Sequence, residues 1–97
     1  MAQLIKDGNR IRVSGAMTML SVPALLDESA AVFVDDNLEV DLAQVDEVDS
    51  AALSLLFEWL REAHARNASL VFVNLPANLT SLATLYGVLD FIPQHTH

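Results

Sequence analysis

Ninety-seven residues make one domain, expected to span 1–97, with one core and no deep two-domain cleft. An apolar fraction of 53% and a mean hydropathy of +0.36 exclude long disorder, yet the purest apolar run, residues 51–57, is broken by Ser54 and falls short of the ~18–20 residues a membrane span needs. Thirteen acidic residues against five basic, a formal charge of −8, oppose binding to nucleic acid, which is held by neutralising its phosphates, and to an anionic membrane surface.

The first two extended segments are residues 3–5 and 10–13, separated by Asp7-Gly8-Asn9, a turn signal because these residues tolerate positive φ. The hairpin is expected to end at Gly15. Ser21 offers a helix N-cap and Pro23 sits in the permissive first turn. Val22, Leu25, Leu26, Ser29 and Val32 then follow the i, i+3, i+4, i+7 rule, predicting a helix over 22–33 that Asp35-Asp36-Asn37 breaks. Residues 38–42, Leu-Glu-Val-Asp-Leu, alternate as a strand. Residues 43–49 read as an acidic loop carrying Val45 and Val48 at a spacing of three.

The strongest helix pattern runs over 50–66, with Leu53, Leu56, Phe57, Leu60, Ala63 and His64 on one face and Asn67 as its stop. Residues 70–73 form a continuous apolar strand of the doubly buried kind. Pro76 opens a third helix with Leu79, Leu82, Ala83 and Tyr86 on one face, and Gly87 closes it. The order β, β, α, β, α, β, α predicts an α/β fold: a mixed sheet made from a hairpin and a right-handed parallel βαβ unit, with three main helices covering at least one face.

The chemistry-bearing segment is the strand, the acidic loop with Asp46, Glu47 and Asp49, and Ser50 at the mouth of the long helix. One of Asp49 and Ser50 must cap that helix by accepting orphan backbone N–H bonds. A phosphate on Ser50 would be favoured by the helix dipole and opposed by the neighbouring carboxylates, two effects of similar size.

The pattern V-D-L-x-x-V-x-x-V-D-S-x-x-L-x-L-L over residues 40–56 resembles the STAS domain family. That family comprises anti-anti-sigma factors, cytoplasmic domains of sulfate-type anion transporters, and small MlaB-type subunits of bacterial lipid transporters. Asp49-Ser50 falls on its Asp-Ser/Thr pair, whose serine is the phosphoacceptor in anti-anti-sigma factors. Two departures weigh against recognition by a sigma-regulating kinase: Gly15-Ala16-Met17-Thr18 stands where many members carry Gly-Glu-Leu-Asp, and Ala52 stands where the family has glycine. The ending Leu82-Ala83-Thr84-Leu85-Tyr86-Gly87-Val88, with Pro93 beyond, is similar to that of MlaB-type proteins.

The resemblance implies a STAS-like fold and a non-enzymatic, cofactor-free subunit. It would bind the cytoplasmic ATPase of a phospholipid ABC transporter and so sit in the cytoplasm, peripheral to the inner membrane. The alternative it implies is an anti-sigma-factor antagonist, partner of a serine kinase and controlled by phosphorylation of Ser50. From the residues themselves, Ala52, Leu55 and Trp59 form a second apolar stripe on the long helix. This stripe is either a partner surface or covered by another helix. The expected partner-binding set is Ala51, Ala52, Ser54, Leu55, Glu58 and Trp59 around Ser50, with Asp46 and Asp49 in the motif loop.

No metal site is expected, since the calcium-loop pattern is absent and His95 and His97 lie two apart in the tail. His64, late in a helix, reads as structural or solvated. Walker, HExxH and Ser/His/Asp contexts are missing. No cysteine is available for a disulfide or a thiolate, and no secretory signal is expected at the start.

Overall fold

The computed structural model describes residues 2–94, and His95 and His97 therefore lie outside the described residues. The elements are β1 (Gln3–Asp7), β2 (Arg10–Met17), α1 (Val22–Val32), β3 (Asn37–Val48), α2 (Ser50–Ala65), β4 (Ser69–Val73), α3 (Ala77–Leu85) and a short 3-10 turn, Leu89–Phe91. The four strands form one sheet in the order β1-β2-β3-β4. β1 runs antiparallel to β2, and β2, β3 and β4 are parallel to one another. This is the mixed α/β architecture the pattern predicts, with helical crossovers between the parallel strands.

β1 runs two residues past its expected end, to Asp7, which pairs with Arg10 instead of lying in the turn. β2 and β3 are also longer than expected, these two for one physical reason. β2 continues past Gly15 to Met17, and the segment expected as an acidic loop is the second half of β3. Register shifts fall between Arg12 and Ser14 and between Gly15 and Ala16 of β2, so β3 carries two extra residues across this pairing. Each β-bulge turns an inward spacing of two into three. The core-facing residues of β3 are therefore Leu38, Val40 and Leu42, then Val45 and Val48. Val40, Val45 and Val48 stand beside Ile11, Gly15 and Met17 of β2. Gly15 has φ +86, a conformation that glycine supplies at no Cβ cost where the strand irregularity falls.

The buried face carries Ile11, Val13, Met17, Val40, Leu42, Leu70 and Phe72, and the helices pack on it. The alternate positions of β2 and β3 form the opposite, polar face, where Arg10 bridges Glu39 and Asp41. Asp41 also accepts from the Ala43 amide at 2.9 Å, beside the first bulge, and from Asn74 Nδ2 at 3.0 Å. Burial alone would raise the Asp41 pKa. These two hydrogen bonds and the charges of Arg10 and Arg12 outweigh it, and the carboxyl sits below its ordinary value.

α2 is the middle of the helical layer, lying against α1, α3 and β4. That position explains a correction. Ala52, Leu55 and Trp59, a potential docking stripe in the sequence, are fully or almost fully buried, and the Trp59 ring stacks at a tilt on Phe33, centroids 5.0 Å apart. On the face expected to be inward, Leu53, Leu56 and Ala63 are buried, Phe57 and Leu60 are half-buried, and His64 is exposed. Tyr86, expected to face inward, is exposed as well.

The stops of α2 and α3 follow capping chemistry, whereas the starts of α1 and α3 carry no side-chain cap. Asn67 (φ 58) follows α2, with Asn67 N–H donating to His64 O at 3.1 Å and Ala68 N–H to Ala63 O at 2.8 Å. Gly87 (φ 70) does the same after α3, where Val88 N–H donates to Ala83 O at 2.9 Å. Pro76 occupies the N-cap position of α3. Ser21 precedes α1 but its side chain does not cap it. Its hydroxyl instead donates to Ala16 O at 2.7 Å and accepts from Thr18 N–H at 2.9 Å, tying the β2–α1 loop together. Beyond α3, Ile92 is buried, and the chain returns along the free edge of β4, where Phe72 N–H donates to Pro93 O at 2.9 Å.

Candidate functional site

The end of β3 delivers Asp49 and Ser50 to the start of α2 through a single extended residue. The choice between the two possible caps is resolved by geometry. Asp49 is the N-cap, with φ −135 and ψ −171, and its Oδ1 accepts from Ala51 N–H at 2.8 Å. Its Oδ2 accepts from Met19 N–H at 3.0 Å, so the same carboxylate pins the β2–α1 loop to the helix start. Ser50 is thereby released from capping. It is the first helical residue, it is exposed, and its hydroxyl makes no hydrogen bond to the described residues.

The surroundings of Ser50 are acidic and apolar. Asp46 and Glu47 are exposed, Asp46 being the extra residue at the second bulge. Among the described residues no ion pair reaches Asp46, Glu47 or Asp49. The chain's five basic residues are placed elsewhere. Lys6 pairs with Asp35, Arg10 with Glu39 and Asp41, and Arg61 with Glu58. Arg66 holds the Asp35 carbonyl at 3.2 Å, and Arg12 stands beside Asp41 in the sheet register.

In the β2–α1 loop that Asp49 holds through the Met19 amide, Met19 and Leu20 are 72% and 92% exposed. A shallow groove is lined by Ser50 itself with Leu53, Ser54, Phe57, Tyr86 and Val88. Phe57 also borders a second groove with Leu60, Arg61, His64, Phe91 and Pro93, so an apolar furrow follows the outer side of α2.

Of the expected partner-binding residues, Ser54 is exposed beside Ser50, and Ala51 and Glu58 are half-buried. Glu58 is engaged by Arg61, whose hydrogen bond holds its carboxyl below the ordinary value. Ala52, Leu55 and Trp59 belong to the core. Sequence reasoning missed Met19, Leu20 and the outward turn of Tyr86. The available signal was two consecutive large apolar residues inside a turn segment, Thr18-Met19-Leu20-Ser21. Among the described residues no three His, Asp or Glu side chains converge in a metal-binding group, and no helix is long and apolar enough to cross a membrane.

The fold is shared with known proteins. The chain is similar to the anti-sigma factor antagonist SpoIIAA in its unphosphorylated form, with TM-score 0.74 and 17% identity over 100% of this chain and 90% of that one. It is similar to an anti-sigma factor antagonist from Mycobacterium paratuberculosis, with TM-score 0.77 and 21% identity over 98% and 84%. The phosphorylated form of SpoIIAA from Bacillus aligns with TM-score 0.65 and 14% identity over 100% and 93%. No curated protein matches the chain. The family model described as "Mlab, STAS domain" matches residues 2–93. Together with the Asp49-Ser50 pair at the start of α2, that match over nearly the whole chain makes this protein a member of the STAS domain family, of the MlaB type.

Proposed function

We propose that this STAS domain is a non-catalytic docking subunit, with its partner surface centred on Ser50 and the cytoplasmic ATPase of a phospholipid ABC transporter as its partner. The observation that carries the reading is the release of Ser50. With Asp49 capping α2, the exposed Ser50 hydroxyl does no structural work, and it borders a groove lined by apolar side chains. The MlaB-type family match supports the choice of partner. The domain would lie in the cytoplasm, peripheral to the inner membrane through that partner. His64, the histidine among the described residues, is fourteen positions along α2 from Ser50, or ~21 Å at 1.5 Å per residue, too far to form a serine–histidine pair.

The test is affinity purification of the tagged chain from its own host, with identification of the proteins that come with it. Unmodified protein is expected to co-purify with the ATPase, and Ser50→Asp to weaken that association while the domain stays folded. Docking against a neutral Ser50 would force the new carboxylate to lose its water.

A second reading has its own support. Ser50 Oγ is free at a helix N-terminus, where the dipole and open N–H groups favour phosphate, and the similar SpoIIAA structure exists in a phosphorylated form. In this reading the domain is an anti-sigma-factor antagonist and its partner a serine kinase. Intact-mass analysis of protein from its own host decides between the two. A fraction heavier by one phosphate, absent in Ser50→Ala, would replace the ATPase reading with the switch.

A further inference from the structure

From the β2–α1 loop we infer that Met19 and Leu20 form a preorganised apolar knob, which inserts into an apolar pocket bordered by lysine or arginine on the protein partner. The inference rests on the docking reading above and adds the recognition element and the chemistry of the surface that receives it. The loop is fastened at three points. Ser21 Oγ holds Ala16 O at 2.7 Å and Thr18 N–H at 2.9 Å, Ser21 N–H and Val22 N–H both donate to Thr18 O, and Asp49 Oδ2 holds Met19 N–H at 3.0 Å.

A flexible loop hides its apolar side chains part of the time. This fastened turn instead keeps Met19 at 72% and Leu20 at 92% exposure. Leu20 contributes almost no burial to the fold and Met19 only a minor part, and a turn that served folding alone would be satisfied by polar residues. Because the backbone is already ordered, docking the knob loses little conformational entropy, the usual property of a strong interface anchor.

Charge defines the partner. Asp46, Glu47 and Asp49 stand at the same end of the sheet without an ion pair among the described residues, and no lysine or arginine of this chain is placed there. An acidic or neutral partner rim would leave these carboxylates uncompensated on desolvation, whereas a basic rim pairs with them and steers the encounter.

The experiment places a photo-reactive phenylalanine at Leu20, at Ser54 and, as a control, at Glu62, irradiates host cells, and sequences the cross-linked peptides. The expected result is an adduct from position 20 to a partner segment containing apolar residues with lysine or arginine within a few positions. Against the purified partner so identified, the Met19→Ser/Leu20→Ser variant should bind about tenfold or more weakly with an unchanged melting temperature. Wild-type binding should weaken as salt rises. An adduct from position 54 with none from position 20 overturns the knob and leaves the docking reading standing. An adduct from position 20 to a protein other than the ATPase overturns the ATPase reading and leaves the knob standing. No adduct from either position, a cross-linked segment without basic residues, or a double variant that binds within twofold of wild type overturns the knob.

Discussion

Asp49 joins two segments with one carboxylate: Oδ1 caps α2 through Ala51 N–H, and Oδ2 holds the Met19 amide of the β2–α1 loop. Two acceptor oxygens on one side chain allow both bonds, and asparagine has only one. Asp49→Asn should therefore keep one bond and lose the other, costing about 1 kcal/mol. Asn caps as well as Asp, so the helix keeps its start and the loop is set loose. Asp49→Ala should lose both bonds and cost roughly twice as much. Hydrogen exchange across residues 17–21 should accelerate in the Asn variant while the first turn of α2 stays protected. Equal destabilisation by the two substitutions would show that only one of the bonds matters.

Ser50 is predicted to be dispensable for folding. Its side chain is exposed and uncommitted, and the cap belongs to Asp49. Ser50→Ala should leave stability within about 0.5 kcal/mol of wild type. Ser50→Asp should do the same in the free domain, since a carboxylate in the first turn suits the helix dipole, although Asp46, Glu47 and Asp49 nearby offset part of that gain. Thermal melts of the three proteins check this. A large loss of stability in Ser50→Ala would mean that the hydroxyl carries structure after all.

Much of the fold is legible in the sequence because its determinants are local. The turn at Gly8, the stops at Asn67 and Gly87, and the helical periodicity of α2 act within a few residues. The second half of β3 is illegible to an alternation rule because both of its bulges stretch the inward spacing to three, so Val45 and Val48 look like loop residues. Which apolar stripe of α2 faces outward is also hidden. Both stripes are apolar, and the arrangement of α1 and α3 around α2 decides the matter. The Asp49-Ser50 pair announces a helix start, but the division of labour within it depends on Met19, thirty residues away in the chain, taking the second carboxylate oxygen. The exposure of Leu20 follows from the staples on its loop, which are tertiary as well as local.

Trp59 is a core residue with an unusual liability. It is 0% exposed, and its Nε1–H has no hydrogen-bond partner among the described residues. A buried donor left unpaired costs about 1–3 kcal/mol. Trp59→Phe removes that donor while keeping an aromatic ring against Phe33, so its cost should stay below about 2 kcal/mol. Trp59→Ala should cost about 3–5 kcal/mol. Trp59→Asp should leave the domain unfolded, because it buries an unpaired charge. Urea unfolding curves separate these outcomes. A folded Trp59→Asp domain would contradict the burial of this residue and restore it as a surface contact.

Asp41 should contribute to the acid sensitivity of the sheet. Its folded pKa is depressed below the unfolded value, because the Ala43 amide, Asn74 and the charges of Arg10 and Arg12 outweigh burial. A depressed carboxyl binds its proton more readily in the unfolded chain. Its stabilising contribution is therefore fully present above the unfolded pKa, about 3.9, and disappears as pH falls through the lowered folded value. Asp41→Asn cannot take up that proton. Its stability should change less than that of wild type between pH 5 and the acid transition, while at pH 7 it should be less stable, since Asn offers one acceptor oxygen to Ala43, Asn74 and Arg10 where the carboxylate offers two. Arg10 retains Glu39 in the variant, so the strand pairing should persist. Melting temperatures of both proteins across this range test the claim. Parallel curves, with the same loss on acidification, would assign the acid sensitivity to another carboxylate.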